Sequence, residues 1–195
     1  MCKKIHYVIL FGLYISFLSA QTRTEKDLLG EKQIPNNAYY GVQTARALEN
    51  FQISGMTTQF YPDYVKAFAM VKLAAARANA ADGRLKKDRL AAIEKACQAV
   101  MDGKYHDQFL VDLYQGGAGT SANMNVNEVL ANIGLEMSGH KKGEYQYLEP
   151  HDDLNMGQST NDVYPTAIKV ALLLHNDKLI KEADLLANAF HKKGD

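Results

Sequence analysis

Five polar residues in a row, Gln158-Ser159-Thr160-Asn161-Asp162, stand immediately ahead of a long apolar-periodic run. Ser, Thr, Asn and Asp end loops and cap helices, because their short side chains accept hydrogen bonds from the first free backbone N–H groups. The spacing predicts a helix beginning near Asp162, with Pro165 in its first turn, where a missing N–H costs nothing. Such an N-terminus carries unpaired amides and a partial positive charge, so it can receive an anion. The side chains of Ser159, Thr160 and Asn161 would add hydrogen bonds around the same point. Two readings fit these residues: an ordinary N-cap, and an anion site built on one.

A second stretch of the same kind lies upstream. Gly116 to Glu128 reads G-G-A-G-T-S-A-N-M-N-V-N-E, a glycine-rich loop running into a helix start at Thr120 or Ser121. Gly116, Gly117 and Gly119 let the backbone approach a ligand closely and turn its amides inward. The loop lacks both the G-x-G-x-x-G spacing and the lysine of a phosphate loop, so alone it is a weak signal. The helix it opens is expected to run from Ser121 to Met137 with Met124, Leu130 and Ile133 towards the core. Asn123 and Asn127 lie one turn apart and share a face.

The elements that must position these loops are mostly helical. Met1–Ala20 has Lys3 and Lys4, an apolar run from Ile5 to Leu18 and small residues at its end, the pattern of a secretory signal peptide. Export to the periplasm or the medium is the expectation; a mistaken start codon ahead of a cytoplasmic protein is the alternative. A permanent anchor fits less well, because spanning a bilayer takes about 20 apolar residues. From Arg23 to Tyr40 the chain is polar and turn-rich, predicting irregular structure around a short β pair. Thr44–Asn50 reads as a short helix. Tyr61–Asn79 reads as an amphipathic one, with Val65, Phe68, Ala69, Leu73 and Ala76 on its apolar stripe. A further helix from Lys86 to Val100 buries Leu90, Ile93 and Cys97, and Gln108–Tyr114 is an extended or helical link to the glycine loop. Gly139–Pro150 is a polar loop. After Asp162, the residues Val163, Ala167, Val170, Leu174, Leu186 and Phe190 keep a helical repeat. Nothing predicts a sheet of any size, so the fold class is all-α.

Composition narrows the function. Lys+Arg and Asp+Glu number 22 each, a formal net charge of zero, which gives no support to nucleic-acid binding. The six histidines fall into no metal-ligand spacing, and His151-Asp152-Asp153 lacks an evident further ligand, so no metal site is expected. Cys2 lies in the leader and Cys97 in an alanine-rich helix, so disulfides do not hold this fold.

Taken together, G-G-A-G-T-S-A-N-M-N-V-N-E and Gly157–Ala167, G-Q-S-T-N-D-x-Y-P-T-A, resemble two signature regions of the aspartase/fumarase superfamily. Asp27 to Phe51, D-L-L-G-E-K-Q-I-P-N-N-A-Y-Y-G-V-Q-T-A-R-A-L-E-N-F, resembles the opening of its aspartate ammonia-lyase branch. The resemblance implies a signal peptide over 1–20, an N-terminal lyase domain over 21–160 and the first helix of a central helix bundle over 161–195. It also implies a trans elimination across a succinyl skeleton. A base removes the proton next to a carboxylate, and the aci-carboxylate so formed expels ammonia or water. Such chemistry needs donors fixed where charge develops. By resemblance Ser159 and Thr160 bind the side-chain carboxylate, Thr120 and Asn161 lie near the leaving amino group, and loop amides including that of Gly119 assist.

The substrate so implied is a small dicarboxylate or amino acid, L-aspartate or fumarate. No cofactor, nucleic acid or membrane is involved once the leader is removed, and the assembly is a homotetramer whose sites draw on three subunits. The superfamily's base is a serine in a loop like G-S-S-x-M-P-x-K-x-N, and neither this nor the T-H or T-Q element occurs here. The chain therefore resembles the N-terminal part of such a lyase, supplying substrate donors but no base, and inactive by itself. Glu149-Pro150-His151-Asp152 stands where fumarases carry a histidine followed by Pro-Asn-Asp, which puts their secondary anion site in doubt here. Fumarases typically show G-S-G-T-Q-S and Q-S-S-N, whereas this chain has Gly117-Ala118-Gly119-Thr120-Ser121 and Gln158-Ser159-Thr160-Asn161. Ammonia elimination from L-aspartate is thus the implied activity. Fumarate hydration is the close alternative, and a non-catalytic helical assembly or binding module the distant one.

Overall fold

The polar N-terminal stretch closes on itself as a hairpin in the computed structural model, which describes residues 21–194. Strand β1 (Thr22–Asp27) pairs antiparallel with β2 (Gly30–Pro35), Thr22 opposite Pro35 and Asp27 opposite Gly30. Glu25 and Ile34 point inward and are buried. The leader expected over Met1–Ala20 lies outside the described residues. Helix α1 (Val42–Asn50) follows, then α2 (Pro62–Ala81), α3 (Lys87–Met101), α4 (Thr120–Met137) and α5 (Thr160–Gly194). Apart from the hairpin and an isolated bridge between Thr57 and Asp112, the described residues are helical or irregular, as the sequence predicts. None of these helices is long and apolar enough to cross a membrane.

Helix α4 departs from expectation. The periodicity predicts one buried face, yet every residue from Ala122 to Leu135 is buried. Helices α1, α3 and α5 pack around it, and Gly134 lets it approach α3, since an added Cβ would sit 3.2 Å from the Ala92 carbonyl. Total burial forces each polar side chain of α4 to find a partner, because a desolvated polar group without one costs about 1–3 kcal/mol. Glu128 accepts from the amides of Gly41 (2.9 Å), Gln43 (2.8 Å) and Thr44 (3.0 Å). Helix α1 has no side-chain cap of its own, so its first turn is capped from α4, and from β1 where Glu25 takes the Val42 amide at 3.0 Å. Asn125 donates to the Gln108 carbonyl at 3.2 Å. Asn132 donates to the Tyr39 carbonyl (2.8 Å) and accepts from the Gly143 amide (2.8 Å).

The link over Gln108–Tyr114 is neither strand nor helix for most of its length. Phe109 and Val111 are buried, and Asp112 between them and the glycine loop is buried as well. Its carboxylate collects the amides of Ser54 (2.8 Å), Gly55 (3.0 Å) and Tyr114 (2.8 Å) and the Ser54 hydroxyl (2.8 Å). One carboxylate thereby clamps the 53–55 turn to the segment that enters the glycine loop.

Helix α5 begins two residues earlier than predicted, at Thr160, and this moves Pro165 out of the first turn into the helix interior. At that position the ring removes the hydrogen bond that the Asn161 carbonyl would otherwise accept. Val163 and Ala167 are buried against the body, while Val170 and Leu174 are only half-covered. The later members of the repeat are not core at all: Leu186 is 58% and Phe190 69% exposed. The helix outruns the body it packs on, and Asp63 on α2 makes the last tether, to His175 (3.3 Å) and Lys178 (2.7 Å).

Burial alone would push the Asp112 carboxyl up, but the amides of Tyr114, Ser54 and Gly55 and the Ser54 hydroxyl outweigh it and hold its pKa at about 2. A lowered carboxyl pKa stabilises the fold fully above the unfolded value of 3.8 and loses that contribution as pH falls towards about 2. Asp112→Asn should therefore lower Tm near neutral pH and show a shallower fall of Tm with acid than wild type. Thermal melts across the acid range test this; parallel pH profiles for the two proteins would refute it.

Candidate active site

The glycine loop reaches α4 through three successive left-handed residues, Gly117 (φ +72°), Ala118 (φ +49°) and Gly119 (φ +98°). Ala118 holds a conformation unusual for a residue with a Cβ, a local strain of the kind found at ligand sites. Gly119 meets the Tyr164 ring of α5 so closely that an added Cβ would lie 2.2 Å from it. Gln115 braces the loop at both ends, accepting from the Ala122 amide (2.6 Å) and donating to the Asp112 carbonyl (2.8 Å). The Thr120 hydroxyl donates to the Gly117 carbonyl at 2.7 Å.

The start of α5 is a reciprocal cap. Ser159 Oγ accepts from the Asn161 amide at 3.2 Å, and Asp162 reaches back to accept from the Ser159 amide at 3.0 Å. The capping reading is thus observed for Ser159. Thr160, the first helical residue, accepts from Asn123 Nδ2 at 3.3 Å. Since Asn123 lies one turn inside α4, this bond ties the two helix starts together.

Beneath them lies a polar cluster that the motifs do not announce. Lys72 of α2 is fully buried, and its ammonium donates to Asn155 Oδ1 (2.9 Å) and Gln158 Oε1 (3.0 Å). Asn155 Oδ1 also accepts from Asn123 (3.0 Å) and Asn127 (3.3 Å), and the Asn155 amide donates to the Gln158 carbonyl at 2.9 Å. Burial pulls the Lys72 ammonium down to about 7, with the Cys97 thiol opposing the shift weakly. The signal in the sequence was its register: Lys72 falls on the stripe of Val65, Phe68, Ala69, Leu73 and Ala76, where a charge is out of place.

Of the five residues singled out from the sequence, Gly119 is buried, Thr160 half-buried, and Thr120, Ser159 and Asn161 exposed. Gly119 and Asn161 share the wall of a cleft of about 400 Å³ with Gln115, Tyr164 and Pro165; Thr120, Ser159 and Thr160 do not line it. A larger groove of about 680 Å³ runs between the start of α2 and α5, mostly apolar, and contains none of the five. Hydrogen-bond polarity separates the hydroxyls. Thr120 has already given its proton to Gly117, so it offers a ligand lone pairs. Ser159 and Thr160 use acceptor capacity internally, so their O–H groups remain to be donated. The start of α5 thus offers hydroxyl donors and Thr120 offers an acceptor.

The 149–153 loop corrects one expectation. Asp153 is buried and paired with Arg89, whereas Glu149 swings round so that its carboxylate lies with His151 and Asp152, ligand atoms within 4.8 Å of one another. The third member of that cluster is thus Glu149, not Asp153. Its groups are largely solvated and already bonded among themselves, His151 Nδ1 to Asp152 Oδ1 at 2.9 Å.

A family model described as lyase matches residues 30–195. The aspartate ammonia-lyase of Pseudomonas aeruginosa is 57% identical over 175 residues, covering 90% of this chain and 37% of that protein. The aspartate ammonia-lyase of Escherichia coli K12 is 51% identical over 177 residues, again 90% and 37%. Among solved structures, the cobalt-bound fumarate lyase:delta crystallin of Brucella melitensis superposes with a TM-score of 0.88 at 51% identity, over 89% of this chain and 38% of that one. A class II fumarase from Schistosoma mansoni gives 0.73 at 37% identity, over 78% and 32%. The chain spans about a third of the length of these relatives.

The contact between Gly119 and Tyr164 is the one that sets the loop against α5. Gly119→Ala adds a Cβ to a left-handed residue and drives it into the ring, a cost of roughly 2–4 kcal/mol. A Tm drop is expected together with faster amide exchange over residues 115–122. A variant as stable and as protected as wild type would show that this contact does not hold the loop.

Proposed function

The chain belongs to the lyase family, and on that premise we propose that the whole protein is an aspartate ammonia-lyase, which reversibly eliminates ammonia from L-aspartate to give fumarate. The carrying observation is the split in hydroxyl polarity. Ser159 and Thr160 keep protons to donate to a carboxylate, and Thr120 keeps lone pairs for an ammonium. The identity to aspartate ammonia-lyases supports the choice of amino-acid substrate.

In this reading the side-chain carboxylate of L-aspartate sits at the start of α5. There the Ser159 and Thr160 hydroxyls and the positive end of the α5 dipole face it. Removal of the proton on the adjacent carbon pushes an electron pair into that carboxylate. The resulting aci-carboxylate carries more charge than the substrate did, and donors fixed in advance stabilise it more than the ground state. Collapse of that electron pair forms the double bond and breaks the C–N bond. Thr120 and Asn161 orient the departing amine. No serine loop of the G-S-S-x-M-P-x-K-x-N kind occurs in the sequence, so we assign proton abstraction to a further segment of a longer protein. Assembly as a homotetramer fits the apolar residues that α5 leaves uncovered, among them Leu172, Leu179 and Leu186. The lysine pair and apolar run of Met1–Ala20 support export of the mature protein from near Gln21.

The full-length enzyme should release ammonia from L-aspartate far faster than it hydrates fumarate. Malate formation at a comparable rate would assign it to fumarate hydration instead. Thr160→Val keeps the side-chain shape and removes one donor to an ionised group, a loss on the order of 1.5–3 kcal/mol. It should lower kcat/KM at least about tenfold. Unaltered kinetics with a lowered Tm would reduce Thr160 to a helix-start residue. For the leader, N-terminal sequencing of the protein recovered outside the cytoplasm should begin near Gln21; soluble cytoplasmic protein retaining Lys3 and Lys4 would contradict export.

A further inference from the structure

Lys72 is a cation without a counter-ion. It is fully buried, and among the described residues no carboxylate pairs with it. Two amide oxygens, of Asn155 and Gln158, take two of its three N–H bonds. A buried ammonium in neutral surroundings is costly, and folds normally keep one only with an opposite charge beside it. Here the neighbouring polar groups lead outward to the substrate donors. Asn155 Oδ1 bridges Lys72 to Asn123, and Asn123 donates to the Thr160 hydroxyl. Gln158, the other partner, directly precedes Ser159. The side-chain oxygens of Asn123 and Asn127 in the same cluster are buried with no partner. The missing negative charge thus has a natural place, one hydrogen-bonded relay away, at the start of α5.

We propose that Lys72 is a positioning residue for the dicarboxylate site: its charge is balanced by the bound substrate carboxylate, and its bonds to Asn155 and Gln158 hold the turn that presents Ser159 and Thr160. The inference rests on the reading of Ser159–Asn161 as the carboxylate site. The groups facing Lys72 from the other elements are neutral. They are Asn123 and Asn127 on α4, Asn155 and Gln158 in the turn, and on α3 the Cys97 thiol, which burial pushes up to about 12. Nothing else in the cluster changes charge near neutrality. Burial sets Lys72 at about 7, so its charge, and with it the balance for an anion, is lost as pH rises through that value. Bound anion should in turn raise it.

Two full-length variants separate charge from scaffolding, with succinate as the non-reacting dicarboxylate probe in calorimetric titrations. Lys72→Met keeps the length of the side chain and removes the charge. Asn155→Asp keeps the acceptor for Lys72, Asn123 and Asn127 and supplies Lys72 with an internal counter-ion. Both should bind succinate at least about tenfold more weakly than wild type. Wild-type affinity should also fall as pH rises through about 7, and that dependence should vanish in Lys72→Met. If Lys72→Met does not fold, Asn155→Asp, which also gives up the bond to the Gln158 carbonyl, is read together with the wild-type pH profile: a wild-type affinity in that variant, or a wild-type affinity that does not fall as pH rises through about 7, overturns the inference. A pH profile unchanged in folded Lys72→Met overturns it as well. Failure of the wild-type enzyme to bind succinate would instead reject the carboxylate site itself, and the inference with it.

Discussion

Helix α4 is buried from Ala122 to Leu135, and that single condition dictates much of what surrounds it. A helix covered on all sides satisfies its own backbone, but five of its residues over that span carry polar side chains: Asn123, Asn125, Asn127, Glu128 and Asn132. Each unsatisfied one would cost about 1–3 kcal/mol, against a total stability of about 5–15 kcal/mol for a domain. Their partners are therefore not optional. Glu128 fixes the start of α1, Asn132 the exit from the hairpin and the 143 turn, and Asn125 the link at Gln108. Asn123 and Asn127 fix Asn155. Four loops distant in sequence are located by side chains projecting from one rod.

This is why the helices were legible in the sequence and their polar partners were not. Apolar recurrence at three and four residues placed α2 and α3 within two residues of their observed ends, because that signal is local. That a helix cap lies in Ser159–Asp162 was legible for the same reason, its bonds joining residues only two and three apart, though their reciprocal pattern was not. Lys72 and Asn155 are 83 residues apart, and Gly41 and Glu128 are 87. Nothing in the chain near Glu128 says that it will be desolvated, or that the amides awaiting it belong to α1. Pro165 shows the limit of local signals. Its preference for first turns pointed to a helix starting near Asp162, while the cap at Ser159 started it earlier, and the cap, with its two hydrogen bonds, prevailed.

The candidate site inherits its order from the same rod. Thr120 opens α4, Asn123 follows one turn on, and Thr160 opens α5. Packing of Gly119 on Tyr164 brings the two helix starts together, and without Asn123 the direction of the Thr160 hydroxyl would be set by solvent. With it, one lone pair of Thr160 is engaged from the protein side, and the proton is left to face outward.

Thr120 is arranged in the opposite sense. Its proton is drawn back to the Gly117 carbonyl, and that carbonyl is within reach only because residues 117 to 119 turn through left-handed conformations. Gly119 can adopt its φ and lie against Tyr164 at once because it has no side chain. Two hydroxyls of the same residue type thus acquire opposite hydrogen-bonding character from their backbone surroundings, one accepting and one donating. On the proposed function, a ligand bearing an ammonium two bonds from a carboxylate-bearing carbon would meet both, whereas a simple dicarboxylate would leave the Thr120 lone pairs unmatched. On that reading, discrimination between an amino acid and its deaminated analogue would reside less in the identity of the two threonines than in the strained turn and the buried asparagine that orient them.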